Sequence, residues 1–180
     1  MVQQAGASAI ETGASAPSKL KRSPYAPDTY ERVLALGSML MLAAVLAALV
    51  RGRGQWHLVP PVIWAHLVTI IIALGLTPMM LLRPRGDRLH RMFGWIWASS
   101  MALTAAISLG VKVITPGHFS LIHLLSVYTL VQVPIIVFAA RSHNIKRHRG
   151  GVRGMVTGAL LIAGFFTFPF GRMMGAWLFG

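Results

Sequence analysis

Long apolar runs alternate with short, arginine-rich connectors along this chain, and inside each run the apolar positions are continuous rather than alternating. Five runs reach or approach the length needed to cross a hydrocarbon core as a helix: 33–50, 59–82, 92–114, 119–140 and 155–175. Continuity of hydrophobicity predicts helices, because a membrane barrel strand would show a period of two. The expected fold class is all-α: an integral membrane bundle of about five transmembrane helices over residues 28–180. The fifth run is the least regular, since Pro169 and Arg172 interrupt it, and a half-buried or interfacial end is an alternative there. Pro78 and Pro134 fall late in the second and fourth runs, where each removes a backbone donor and can bend a helix. Gly154 with Gly158, and Gly171 with Gly175, have the spacing that lets helices approach closely.

Residues 1–27 read differently. They are rich in Ala, Ser, Gly and Pro and end in Lys19, Lys21 and Arg22, so a disordered basic tail is expected. The first apolar run begins only near Val33, which predicts a retained anchor rather than a cleaved signal.

Composition sharpens this picture. Hydrophobic residues make up 55% of the chain and the mean hydropathy is +0.64, more apolar than a soluble domain needs. Seventeen Lys and Arg against four acids give a formal charge of +13, which in a soluble protein would suggest nucleic acid. The basic residues instead sit in connectors. Lys19, Lys21, Arg22 and Arg32 precede the first run; Arg83, Arg85, Arg88 and Arg91 lie between the second and third; Arg141, Lys146, Arg147, Arg149 and Arg153 lie between the fourth and fifth. With five spans these three groups share one side, leaving Arg51, Arg53, Lys112 and Arg172 on the other. The bias predicts a cytoplasmic N-terminus, a lipid bilayer and anionic lipids at the cytoplasmic face as partners, and no nucleic acid. Trp56 and Trp64 suit the outer aromatic belt, and Tyr30, Trp95 and Trp97 the inner one.

The acids, Glu11, Asp28, Glu31 and Asp87, all lie outside the apolar runs. Paired-carboxylate hydrolysis, an intramembrane carboxylate relay and His-carboxylate metal sites therefore lack their parts. Cysteine is absent, which removes thiolate nucleophiles, iron–sulfur ligation and disulfides.

Seven histidines are the remaining chemical feature. His66 and His123 lie inside the second and fourth runs, at similar depth in the outer half of the bilayer, on helices running the same way. As neighbours or diagonal partners in a bundle, they would face one ligand from two sides and serve as metal ligands. A hydrogen bond to an adjacent helix is the plainer alternative. His90 and His148 form a second pair on the inner side, each beside an arginine, Arg91 and Arg149. Two neutral imidazoles with guanidinium partners suit haem b and its propionates, and equally a lipid phosphate or a quinone head group. Interfacial solvation is the plainer reading there. His57, His118 and His143 fall in loops.

Several motifs in order resemble a known family: Leu89-His90-Arg91-Met92-Phe93-Gly94-Trp95, Gly117-His118-Phe119-Ser120 leading into Ile122-His123-Leu124-Leu125-Ser126, Asn144-Ile145 ahead of His148-Arg149, and Phe166-Thr167-Phe168-Pro169 through Gly171-Arg172 to Leu178-Phe179-Gly180. Over roughly 60–180 the chain is similar to a bacterial multi-pass membrane family catalogued as domain of unknown function family 2306. The resemblance implies a helical membrane fold in the bacterial inner membrane. In many members of that family the last histidine motif continues into a Trp-Met or similar pair, whereas Gly150 and Gly151 follow Arg149 here, which weakens any transfer to His148. The histidine pattern is similar in style to four-helix b-type cytochromes, an analogy of fold rather than of function.

Three functional expectations follow. The first is a haem-binding electron-transfer module using paired intramembrane histidines. The second is a non-catalytic accessory or assembly subunit of a larger respiratory or photosynthetic complex. The third is binding or transport of a lipid or quinone, against whose transport form stands the lack of a repeat or of matched glycine-interrupted spans.

Overall fold

The computed structural model describes residues 26–110 and 121–180, so most of the tail, and the 111–120 connector with Lys112 and His118, lie outside the described residues. The described part is all-helical: α1 is Thr29–Arg51, α2 Pro61–Leu82, α3 Arg88–Gly110 and α4 Leu121–Arg141. Next, α5 begins as Ile145–Met155, continues as a π-helical segment Val156–Ile162 and closes with the turn Ala163–Phe165; a short α6, Met173–Phe179, follows.

Among the described residues four helices are long and apolar enough to span a membrane: α1, α2, α3 and the His123–Arg141 stretch of α4. The fifth rod, α5, is polar and basic over its first half and stops at Phe165, short of the expected 175. There the chain turns, with Phe170 and Gly171 both at positive φ, and Arg172 precedes α6. The irregularity expected from Pro169 and Arg172 is thus a break between two helices.

Polar side chains, not the edges of the apolar runs, set where the helices start. Asp28 caps α1 in a capping box: the Glu31 N–H donates to Asp28 Oδ1 (3.0 Å) and the Asp28 N–H to Glu31 Oε2 (3.2 Å), an arrangement worth about 1 kcal/mol. Pro61 opens α2, where a missing N–H costs nothing. The His90 N–H donates to Asp87 Oδ1 at the start of α3 (2.6 Å), and the Arg147 N–H to Asn144 Oδ1 at the start of α5 (3.0 Å). Helical turns therefore extend several polar residues ahead of the apolar runs, to Thr29 and Arg88 rather than 33 and 92.

The helices pack as a ring. α1 lies on α2, α2 on α3, α3 on α4 and α4 on α5, while the π segment of α5 touches α1, α2 and α4 and α6 folds back on α1. Leu74, Trp97, Met101, Met155, Val156 and Leu160 fill the centre. Trp97, expected in the inner aromatic belt, is only 2% exposed; its indole N–H donates to Thr77 Oγ1 (3.0 Å), which in turn donates to Ala73 O (2.7 Å). Trp95 does face outward, with the Arg141 guanidinium 6.0 Å from its ring. Trp56 and Trp64 meet edge to face at 5.2 Å. Val33, Leu36, Leu40, Val131 and Phe138 are exposed, as befits helices whose outer surface meets lipid.

Two glycines admit close contacts. A Cβ at Gly175 would lie 1.7 Å from Phe168 O, and one at Gly52 would lie 2.1 Å from the Trp177 ring. Both hold α6 against the rest of the bundle, together with the bond from Trp177 Nε1 to Gln55 Oε1 (2.8 Å). The pair Gly171 and Gly175 thus serves a local turn-to-helix contact.

Candidate functional site

At the end of the bundle where α1 starts, three arginines from distant parts of the chain converge on one carboxylate. Glu31 is fully buried in the first turns of α1. Arg149 of α5 approaches it with two bonds, Nε to Oε1 (2.8 Å) and Nη2 to Oε2 (3.0 Å). Arg153 reaches it through Nε (3.2 Å), and Arg85 of the α2–α3 connector pairs with it as well. Asp28 holds Arg149 (3.0 Å) and Arg153 from the outer side. The carboxylate excluded from intramembrane chemistry by sequence is therefore inside a helix, and its lone pairs are filled by guanidinium donors.

This clasp also fixes topology. The α2–α3 connector, the start of α5 and the start of α1 meet at one end of the bundle, as the distribution of basic residues predicts. Burial raises the Asp28 pKa, but the Glu31 N–H and the neighbouring Arg153 and Arg149 more than offset this, so it lies below its ordinary 3.8. Asp87 is likewise held low, first by the His90 N–H and then by Arg83, whose Nε lies 2.7 Å from Oδ2.

Against the clasp lies the inner histidine pair. The rings of His90 and His148 stand 6.4 Å apart and edge to face. His148 Nδ1 is 3.1 Å from Ile136 O, and a carbonyl only accepts, so Nδ1 carries the proton and Nε2 keeps a lone pair. His90 Nδ1 is buried without a hydrogen-bond partner. Glu31, Met80, Arg85, His90, His148 and Arg149 line a cavity of about 20 Å³, room for one water molecule. That volume does not fit a porphyrin, so this pair does not suit haem b. Arg91, expected beside the pair, turns away and donates to Gly86 O (2.7 Å).

The outer histidines are placed differently. His66 sits on α2 with Nδ1 3.1 Å from Ser108 Oγ of α3. Ser108 gives its own proton to Thr104 O (2.8 Å), so Ser108 accepts and the lone pair of His66 rests on Nε2. Thr104 and Thr69 extend this polar contact along the α2/α3 interface (2.6 Å). His123 lies near the start of α4, which packs on α3 and α5, while α2 packs on α1 and α3. Among the described residues no group of three His, Cys, Asp or Glu side chains comes together as a metal site. His57, in the short 3-10 helical turn Arg53–Leu58, and His143, in the α4–α5 connector, are exposed.

A second cavity escaped sequence analysis. An open apolar crevice of about 620 Å³ runs between α1, the end of α5 and α6, lined by Gly37, Leu40, Met41, Ala44, Leu161 and Phe165, and bounded at one side by the turn and α6. That volume lies within the roughly 300–1,000 Å³ of small-molecule sites. Its α5 wall includes the π segment, a distortion often found at functional positions. Below it, the α1/α5 seam continues to the clasp: Gly37 abuts Leu161, the Tyr30 hydroxyl bonds Thr157 Oγ1 (2.8 Å), and the Arg153 guanidinium lies 5.4 Å from the Tyr30 ring centroid.

No family model matches the chain, and no curated protein or solved structure matches it.

Proposed function

We propose that this chain is a small protein of the bacterial inner membrane that holds a membrane amphiphile, a lipid or a quinone, in the crevice between α1, α5 and α6. The observation that carries this reading is the crevice: ligand-sized, almost wholly apolar and built partly by a π-helical wall. The start of α1 and the basic connectors lie on the cytoplasmic side in this reading, supported by the excess of arginine there. Native mass spectrometry of the purified protein tests it. The wild type carries a lipid or quinone adduct; Ala44→Trp fills the crevice and loses it, while Ala43→Trp, on the exposed neighbouring position of the same helix, keeps it. Equal retention by both variants overturns the reading.

A second reading, haem ligation at His66 and His123, is favoured by one observation, the lone pair left on His66 Nε2 when the Nδ1–H donates to Ser108 Oγ. Bound haem would supply one-electron chemistry. A reduced-minus-oxidised spectrum from a haem-replete host decides it: a Soret band that His66→Ala removes supports the reading, and a colourless protein refutes it.

A further inference from the structure

Resting on the amphiphile reading, we infer that the occupant of the seam is an anionic phospholipid drawn from the leaflet that faces the basic end of the bundle. The placement of residues along two helices argues for it. On α1, Tyr30, Gly37, Met41 and Ala44 fall on one stripe, being seven, four and three residues apart. On α5, Arg153, Thr157, Leu161 and Phe165 succeed one another at intervals of four and face that stripe. One seam therefore begins among charges and ends in the apolar crevice. Tyr30 and Ala44 are about 21 Å apart along α1 at 1.5 Å per residue. That is the reach of one extended acyl chain from its head group.

The charge at the mouth chooses the head group. Within the clasp three guanidinium groups, of Arg85, Arg149 and Arg153, meet two carboxylates, of Glu31 and Asp28. Arg149 and Arg153 both pair with Asp28, and Asp87 of the α2–α3 connector is taken by Arg83. Around the clasp, Arg32, Lys146 and Arg147 are exposed, adding positive charge with no further acid beside them on α1 or α5. Arg153 is a quarter exposed beside the half-exposed Tyr30, so a guanidinium and a phenol edge present themselves where a phosphate diester would lie. A zwitterionic lipid would bring its cationic group into the same field and lose the advantage. The nearly unbroken apolarity of the crevice lining gives a quinone ring no hydrogen-bond donor there, whereas an acyl chain asks for none.

The test is native mass spectrometry of the full chain in detergent with equal phosphatidylglycerol and phosphatidylcholine. The wild type is expected to prefer phosphatidylglycerol about fivefold, the effect of one basic residue at an anionic surface. Arg153→Gln should abolish the preference while an adduct remains, and Arg153→Lys should restore it. Ala44→Trp should remove both adducts. If Ala44→Trp retains them, the crevice reading itself fails. If Ala44→Trp loses them but the wild type shows no preference, Arg153→Gln keeps it, or added quinone displaces phosphatidylglycerol, then only the anionic-lipid inference is overturned. Circular dichroism of each variant confirms that it remains helical; should Arg153→Gln unfold, the Arg153→Lys and wild-type spectra still decide whether the preference exists.

Discussion

Replacing Glu31 with glutamine keeps the shape of the side chain and removes its charge, which leaves Arg85, Arg149 and Arg153 with Asp28 as their remaining carboxylate. Breaking a buried ion pair from one side costs about 3–5 kcal/mol, because the partner charge stays buried without compensation. Arg85 is the partner that bears this most, its side chain being 9% exposed, whereas Arg149 and Arg153 are exposed enough to recover some hydration. The lower end, about 3 kcal/mol, is therefore expected. At roughly 2–4 °C per kcal/mol for a chain of this size, thermal unfolding followed by circular dichroism in detergent should fall by about 6–12 °C. The double variant Glu31→Gln with Arg85→Gln removes the buried positive charge as well and should recover part of that loss, so that the two effects are not additive. A shift under about 2 °C for Glu31→Gln, or a double variant no better than the sum of its parts, would refute the claim that this carboxylate holds the helix ends together.

Other consequences follow from particular contacts. Gly175→Ala places a methyl group 1.7 Å from Phe168 O and should release α6, seen as faster amide exchange over 173–179 with α2 and α3 unchanged. Thr77→Val leaves the buried Trp97 N–H without its acceptor and should cost about 1–3 kcal/mol, with Trp97→Phe in the same chain recovering part of it. Because the Asp28 pKa is lowered on folding, its contribution to stability is present above 3.8 and is lost as pH falls through the folded value; a pH series of unfolding temperatures should decline below that point, and less steeply in Asp28→Asn.

The helices were legible because a span must be both long and apolar, a demand that leaves little ambiguity over 33–50 or 59–82. Helix starts were less so, since apolar runs mark where lipid begins, while Asp28, Asp87 and Asn144 mark where backbone donors are capped. Glu31 was passed over as an acid outside the apolar runs. Its signal was local all the same, the Asp28-x-x-Glu31 capping box, though its three arginine partners lie 54, 118 and 122 residues away. Trp97 belonged to a visible stripe, Trp97, Met101, Thr104 and Ser108, at helical spacing, which separates it from the outward-facing Trp95. Depth pairs the histidines but does not say which helices adjoin: it coincides for His90 with His148, whose rings meet, and for His66 with His123, on two helices that each pack on α3. The crevice had no linear signature, because it depends on where the chain breaks at 166–172 and on a π segment no residue pattern announces.

The absence of cysteine makes the most direct measurement simple, since any thiol introduced is the only one present. Single variants Arg147→Cys in the α4–α5 connector, Leu89→Cys at the start of α3 and Gly54→Cys between α1 and α2 can each be challenged with a membrane-impermeant maleimide on sealed inverted vesicles. Labelling of the first two and protection of the third is the outcome required by a bundle whose charged ends gather around Glu31 at the inner surface. Labelling of Leu89→Cys and protection of Arg147→Cys would put the clasp's arginines across the bilayer from each other and contradict the account.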